Sequence, residues 1–158
     1  HRSDGPAVEA SNGDKEWHLY GNRHRIGGPA MEYANGTKEW YINDKIHRED
    51  GPAHIYYTND GRLFSESWYI NGILHRIDGP AIVHADGAYE WYLNGVVHRE
   101  GGPAIERSNG DREWMINGKY HRIDGPAFDT SADKQWWING LKHRTNGPAL
   151  ISHDGICA

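Results

Sequence analysis

Seven His-Arg pairs, starting at His1, His24, His47, His75, His98, His121 and His143, are the first residues in this chain whose types invite chemistry. Imidazoles in register could ligate zinc, but zinc ligands must converge within a few Å. If each repeat adds two strands, equivalent histidines stand ~10 Å apart. No cysteine accompanies them, and no carboxylate keeps a constant place beside each one. Neither a metal site nor a cofactor is expected. Catalysis has little more support. A catalytic group is normally a singleton in a cleft, whereas these residues recur, and the chain has no nucleophile elbow, phosphate-cradling loop or zinc-protease helix. Cys157 is the one cysteine and lies on a terminal tail, where it reads as an incidental thiol. The chain is not expected to be an enzyme. The role that fits the His-Arg pair is local. Imidazole and guanidinium can satisfy backbone carbonyls at a bend, and Arg can stack on a tryptophan face or pair with an Asp two positions on, as Arg76 could with Asp78.

The elements that must position these residues form a repeat, and internal periodicity of this kind signals an array. The His-Arg intervals are 23, 23, 28, 23, 23 and 22 residues. Every proline lies five residues after such a histidine, inside Gly-Pro-Ala, and Trp17, Trp40, Trp68, Trp91, Trp114 and Trp136 fall in register. Two turn signals punctuate the unit that starts at His75, Asp86-Gly87 and Asn94-Gly95. The first is matched at Asn12-Gly13, Asn35-Gly36, Asp60-Gly61, Asn109-Gly110 and Asp154-Gly155, and the second at Asn71-Gly72, Asn117-Gly118 and Asn139-Gly140. Both dipeptides adopt positive φ readily, as two-residue hairpin turns require. Between them lie short β-branched and aromatic runs, the signature of strands. Proline lacks an N–H, so the Gly-Pro step belongs at a bend. The expected architecture is all-β: an elongated antiparallel sheet or solenoid of about seven stacked β-hairpin repeats of ~23 residues. Residues 1–158 read as a single array.

Alternation along a strand assigns faces. Trp91 and Leu93 share one side of Glu-Trp-Tyr-Leu, and Glu90 and Tyr92 share the other. The residue after Gly-Pro-Ala is apolar at Val8, Met31, Ile82, Ile105, Phe128 and Leu150, with His54 the exception. These residues are expected to join the tryptophans in a Trp/Ile/Leu core opposite a polar ladder of Glu and Tyr. Tight coiling or self-association is expected to hide that core, because large apolar patches rarely stay solvated.

The 23-residue period, the strand Trp-Tyr-x-Asn-Gly and the following His-x-x-Gly step resemble MORN repeats, in the divergent form found in bacterial and viral proteins, including some antitoxin components. The likeness spans essentially the whole chain. Here His-Gly-x-Gly is replaced by His-Arg-x-x-Gly-Pro, and Trp with Tyr replaces Tyr-x-Gly-x-Trp. The resemblance implies an elongated sheet of hairpins that acts as a scaffold or interaction module.

Composition limits the partners. The formal charge is −5, from 17 Lys and Arg against 22 Asp and Glu, which offers no basic footprint for nucleic acid or anionic lipid. No apolar run approaches the ~20 residues of a membrane span. There is no signal-peptide pattern, and the chain opens inside a motif, so it reads as a fragment. A single cysteine fits a reducing compartment such as the cytoplasm. The departure from the repeat is the third unit, five residues longer than its neighbours, with the extra length between Tyr56 and Trp68. An extended hairpin bearing Tyr56, Tyr57, Arg62 and Phe64 suits a contact site, since aromatic and Arg side chains dominate such sites. Tyr69 and Tyr92 on the polar ladder are further binding candidates. The expected function is a non-enzymatic scaffold that binds a protein partner. The alternatives are a self-associating segment of a fibre or virion-associated protein and a carbohydrate-binding surface.

Overall fold

A computed structural model describes residues 5–153. The His1-Arg2 motif, the Asp154-Gly155 turn and Cys157 lie outside them. The described residues contain strands and turns but no helix. Each of the first six units contributes two layers of structure, and the seventh adds, among the described residues, the single strand Leu150–Ser152. In the fourth unit, Ile82–His84 and Tyr89–Glu90 form a hairpin within one continuous sheet, whereas Tyr92–Leu93 and Val96–Val97 form a separate two-stranded hairpin. The continuous sheet has thirteen antiparallel strands in simple chain order, from Val8–Glu9 to Leu150–Ser152, and does not close into a barrel. Among the described residues six small hairpins accompany it.

Glu90-Trp91-Tyr92-Leu93 is therefore not one strand, as its alternation predicts. The chain turns a corner at each tryptophan. The Trp91 N–H donates to Ala104 C=O of the next unit at 2.8 Å, while its C=O accepts from His98 N–H at 3.1 Å. One peptide serves both layers, and this breaks the ladder. Small hairpins are in turn tied to their neighbours, for example through Gly95 N–H to Leu74 C=O (2.8 Å) and Arg76 N–H to Tyr92 C=O (3.2 Å).

The two turns differ in kind. Asn94 and Gly95 have φ of +52° and +77°, the positive pair of a type I′ hairpin. At Asp86-Gly87 only Gly87 is positive, at +90°. Gly87 N–H donates to His84 C=O (3.0 Å), and His84 N–H donates to Ala88 C=O (2.9 Å). This is a three-residue loop closed by a glycine bulge. The Asp86 carboxylate accepts from Ala88 N–H at 3.0 Å and so fixes the loop.

Register corrects the expected faces. Directly paired residues of an antiparallel sheet share a face, and one cross-strand row reads Val8, Glu16, Met31, Glu39, His54, Ser67, Ile82, Glu90, Ile105, Glu113, Phe128, Gln135, Leu150. The apolar residues after Gly-Pro-Ala thus alternate with the pre-tryptophan carboxylates instead of joining the tryptophans. The neighbouring row opposes charges: Lys15 beside Glu9 and Glu32, Arg112 beside Glu106 and Asp129. Nor is there a thick aromatic core. The alanines of Gly-Pro-Ala (Ala30, Ala53, Ala81, Ala104, Ala127) are 0% exposed, and no large side chain among the described residues is fully enclosed. The tryptophan faces are covered instead by arginine.

Candidate functional site

The His-Arg motif forms a clasp within the array. Among the described residues, each motif guanidinium lies over the tryptophan ring that precedes it, as Arg25 on Trp17, Arg76 on Trp68, Arg99 on Trp91 and Arg122 on Trp114, with Cζ 3.7–4.1 Å from the ring centre. Its Nη1 donates to the proline carbonyl of the same motif, as from Arg76 to Pro80 at 3.2 Å. Nε of Arg48, Arg76 and Arg122 reaches Asp50, Asp78 and Asp124 at 2.8–3.1 Å. This guanidinium beside Asp50 and Asp124 holds both carboxyls below their ordinary range. A Cβ on the motif glycine would meet the stacked guanidinium, 2.8 Å from Arg76 Cζ at Gly79 and 3.0 Å from Arg48 Cζ at Gly51, so glycine is needed there for space. Histidine reaches in the other direction. Nδ1 of His75 and His98 accepts the N–H of Asn94 and Asn117 in the turn of the same unit, both at 3.1 Å. The recurrent polar residues hold units together, and no group of three or more His, Cys, Asp or Glu able to hold a metal lies among the described residues.

Successive clasps are separated by open clefts of 250–670 Å³, lined by the clasp itself with Trp68, Ile70 and Ile77 in one of them. Ile26, Ile77 and Ile123 project from the loops 83–86% exposed, but they stand two or more units apart and form no continuous patch.

Between the sheet and the small hairpins, carboxylates and phenols satisfy one another. Glu39 accepts from Tyr33 at 3.2 Å and Tyr41 at 3.1 Å, and Glu90 accepts from Tyr92 at 3.1 Å. Burial, reinforced by Glu90, pushes the Tyr92 phenol up to about 12. Burial also raises Tyr69, with Glu39 as the secondary cause. Both predicted binding tyrosines of the ladder are therefore half-buried, and the Tyr92 hydroxyl is already engaged.

The long third hairpin differs. His54–Tyr57 pairs with Leu63–Ser67, and the register slips between Leu63 and Ser65, which makes Phe64 the extra residue of a bulge. The bulge is anchored by Ala85 N–H donating to Phe64 C=O at 2.9 Å. Phe64 turns its ring to the same side as Tyr56, edge-to-face at 5.4 Å and 72°, and also meets His84 at 6.1 Å and 89°. His54 flanks Tyr56 at 5.9 Å. Phe64 is 50% exposed, Leu63 40% and Tyr56 38%. Arg62 extends into solvent and pairs with Asp60, at 3.3 Å. Tyr57 is not part of this cluster. Its N–H and C=O are bound by Thr37 and Asn35 of the preceding unit, and its ring lies 3.7 Å from where a Cβ on Gly36 would stand.

The fold thus brings Tyr56 and Phe64 together, leaves Arg62 at the tip, and separates Tyr57, Tyr69 and Tyr92 from them. Sequence reasoning missed His54 and His84 as cluster members. A signal existed for one of them, since His54 is the polar residue at a position otherwise apolar. Even the charged row changes at this point, becoming Ile55, Glu66, Val83 and Tyr89. No protein-family model matches the chain, and no curated protein matches it either.

Proposed function

We propose that the chain is a non-enzymatic β-repeat module that binds a protein partner through its third hairpin, the repeats serving as the frame. The observation that carries this is the Tyr56–Phe64–His84 edge-to-face cluster with half-exposed Phe64, placed where the repeat is broken, with Arg62 exposed at the tip of the same hairpin. Aromatic rings with few torsions offer contact area at small entropic cost, and a hairpin tied at both ends limits the ordering lost on binding. Elsewhere the recurrent Arg, His, Tyr and Glu side chains are engaged within the array, which leaves them less to offer a ligand. The resemblance to MORN repeats implies the same scaffold role.

The test compares partners captured from an extract of the source cells by the wild-type chain, by an Arg62→Ala/Phe64→Ala chain, and by an Arg112→Ala control on the charged row. Loss of two contact side chains should weaken the captured complex by about 30-fold or more, the effect of a single strong interface residue. The control should retain it. Equal capture by all three at unchanged affinity would refute the reading and move attention to the clefts between clasps.

A further inference from the structure

The sequence contains eight Asn-Gly pairs, the dipeptide in which the glycine amide can attack the preceding side chain with least steric hindrance. Seven of the eight are held in ways that oppose this. Gly13, Gly36 and Gly110 donate their N–H across their own turns, to Ala10, Tyr33 and Arg107 at 2.9 Å, and Gly72, Gly95, Gly118 and Gly140 donate to the preceding unit at 2.7–2.9 Å. An amide committed to a carbonyl is held away from the neighbouring Cγ and gives up its proton less readily.

Asn146-Gly147 is the exception. It lies in the last clasp loop, not in a hairpin turn, and both residues are exposed. Among the described residues neither the Gly147 N–H nor the Asn146 side chain has a hydrogen-bond partner. The loop is also looser than its counterparts. A Cβ on Gly147 would stand 3.4 Å from Arg144 Cζ, where the equivalent distances at Gly79 and Gly125 are 2.8 Å, and Gly147 has a φ of +123°. At the position of Asn146, three other units carry Asp50, Asp78 and Asp124, each bound to the Nε of its arginine. Arg144 stacks on Trp136 at 3.8 Å and donates to Pro148 C=O at 3.0 Å, but it has no carboxylate.

We propose that Asn146 is a site of spontaneous deamidation, selected among the eight pairs by its free glycine amide. The Gly147 nitrogen loses its proton to solvent and attacks Asn146 Cγ. The new N–Cγ bond forms as the Cγ–Nδ2 bond breaks, ammonia leaves, and a five-membered succinimide remains. Water then opens either ring carbonyl. One opening leaves an ordinary aspartate side chain in place of the Asn146 amide, which supplies the carboxylate that Arg144 lacks and completes the clasp as Asp50, Asp78 and Asp124 do in their units. The other gives the β-linked isomer, whose main chain is longer by one methylene and pulls the Gly-Pro step away from Arg144. One water is consumed, one ammonia is released, and no oxidant or reductant is needed. The last unit thus gains a negative charge with age.

The test incubates the folded chain at mildly alkaline pH and follows each Asn-Gly peptide by mass spectrometry, with a parallel sample in denaturant. Isomerisation at Asp-Gly leaves mass unchanged, so a mass gain reports asparagine alone. In the folded chain Asn146 should convert about tenfold faster than any other site, the factor expected from having to break one turn hydrogen bond first. In denaturant the eight sites should converge, and Asn146→Gln should abolish the early mass gain of the folded chain. The proposal fails if another pair reacts as fast in the folded state, if Asn146 is unreactive there, or if the ranking persists in denaturant.

Discussion

Replacing Gly79 with Ala tests the clasp most directly. The added Cβ would lie 2.8 Å from Arg76 Cζ and 3.0 Å from Nε, closer than two such atoms can approach. The guanidinium is the end of a flexible side chain and can swing out into solvent, so the cost is bounded by the interactions it gives up. They are the stack on Trp68 at 4.1 Å, the donation to Pro80 C=O at 3.2 Å and the pair with Asp78 at 3.1 Å, whose carboxylate is 84% exposed. A partly exposed cation–π contact contributes about 0.5–1 kcal/mol. The carbonyl hydrogen bond adds about 1 kcal/mol, and the solvent-exposed ion pair at most a few tenths. The expected loss is therefore about 2 kcal/mol, or roughly 5 °C in melting temperature for a chain of this size. Urea titration followed by tryptophan fluorescence measures it, and a second titration in an Arg76→Ala background supplies the decisive comparison. With no guanidinium to displace, Gly79→Ala should then cost under about 0.5 kcal/mol. If it costs the same in both backgrounds, the glycine is required by the backbone and the account of the clasp is wrong.

Four other outcomes follow from the same geometry. Trp91→Ala should destabilise by about 2–3 kcal/mol, below the range for a fully buried ring because Trp91 is only half-buried under Arg99; denaturant titration measures this. Gly95→Ala should cost about 1–2 kcal/mol, since its φ is +77° and the new Cβ would also lie 3.2 Å from Ile73, whereas Gly72→Ala meets open space and should cost less. Arg62→Ala/Phe64→Ala should shift stability by less than about 1 kcal/mol while weakening partner binding, because both side chains lie on an exposed hairpin. Raising the pH should destabilise the fold. The Tyr33, Tyr92 and Tyr120 phenols are pushed from 10 to about 12, chiefly by burial. Their contribution is fully present below 10 and lost as the pH rises to 12, which melting curves and phenolate absorbance across that interval would reveal.

The repeat, its turns and its strand content were legible in the primary structure, because each rests on a local constraint. Asn-Gly at positions such as 94–95 adopts a positive φ pair at little steric cost, proline at position 80 cannot donate to a central ladder, and β-branched runs between them favour extended backbone. The partnership of Arg76 with both a tryptophan and Asp78 was also foreseeable from residue type and spacing. In the candidate site, the length and composition of the third hairpin marked Tyr56, Arg62 and Phe64 as unusual.

What spacing could not decide was which strand residues look the same way. Alternation gives relative orientation within one strand, but the row joining Ile82 to Glu90 and Ile105 depends on how separate strands align. The corner at Trp91 breaks the alternation that would otherwise have linked them. The bulge that turns Phe64 onto Tyr56 and His84 is likewise a property of register. The stacking of Arg99 on Trp91 also depends on the small hairpin that pairs Tyr92–Leu93 with Val96–Val97 and brings His98 N–H onto Trp91 C=O. Local backbone preferences act within a few residues and are written in the chain. Register, faces and the exposed aromatic cluster arise from pairings between distant segments, and only the assembled sheet decides those.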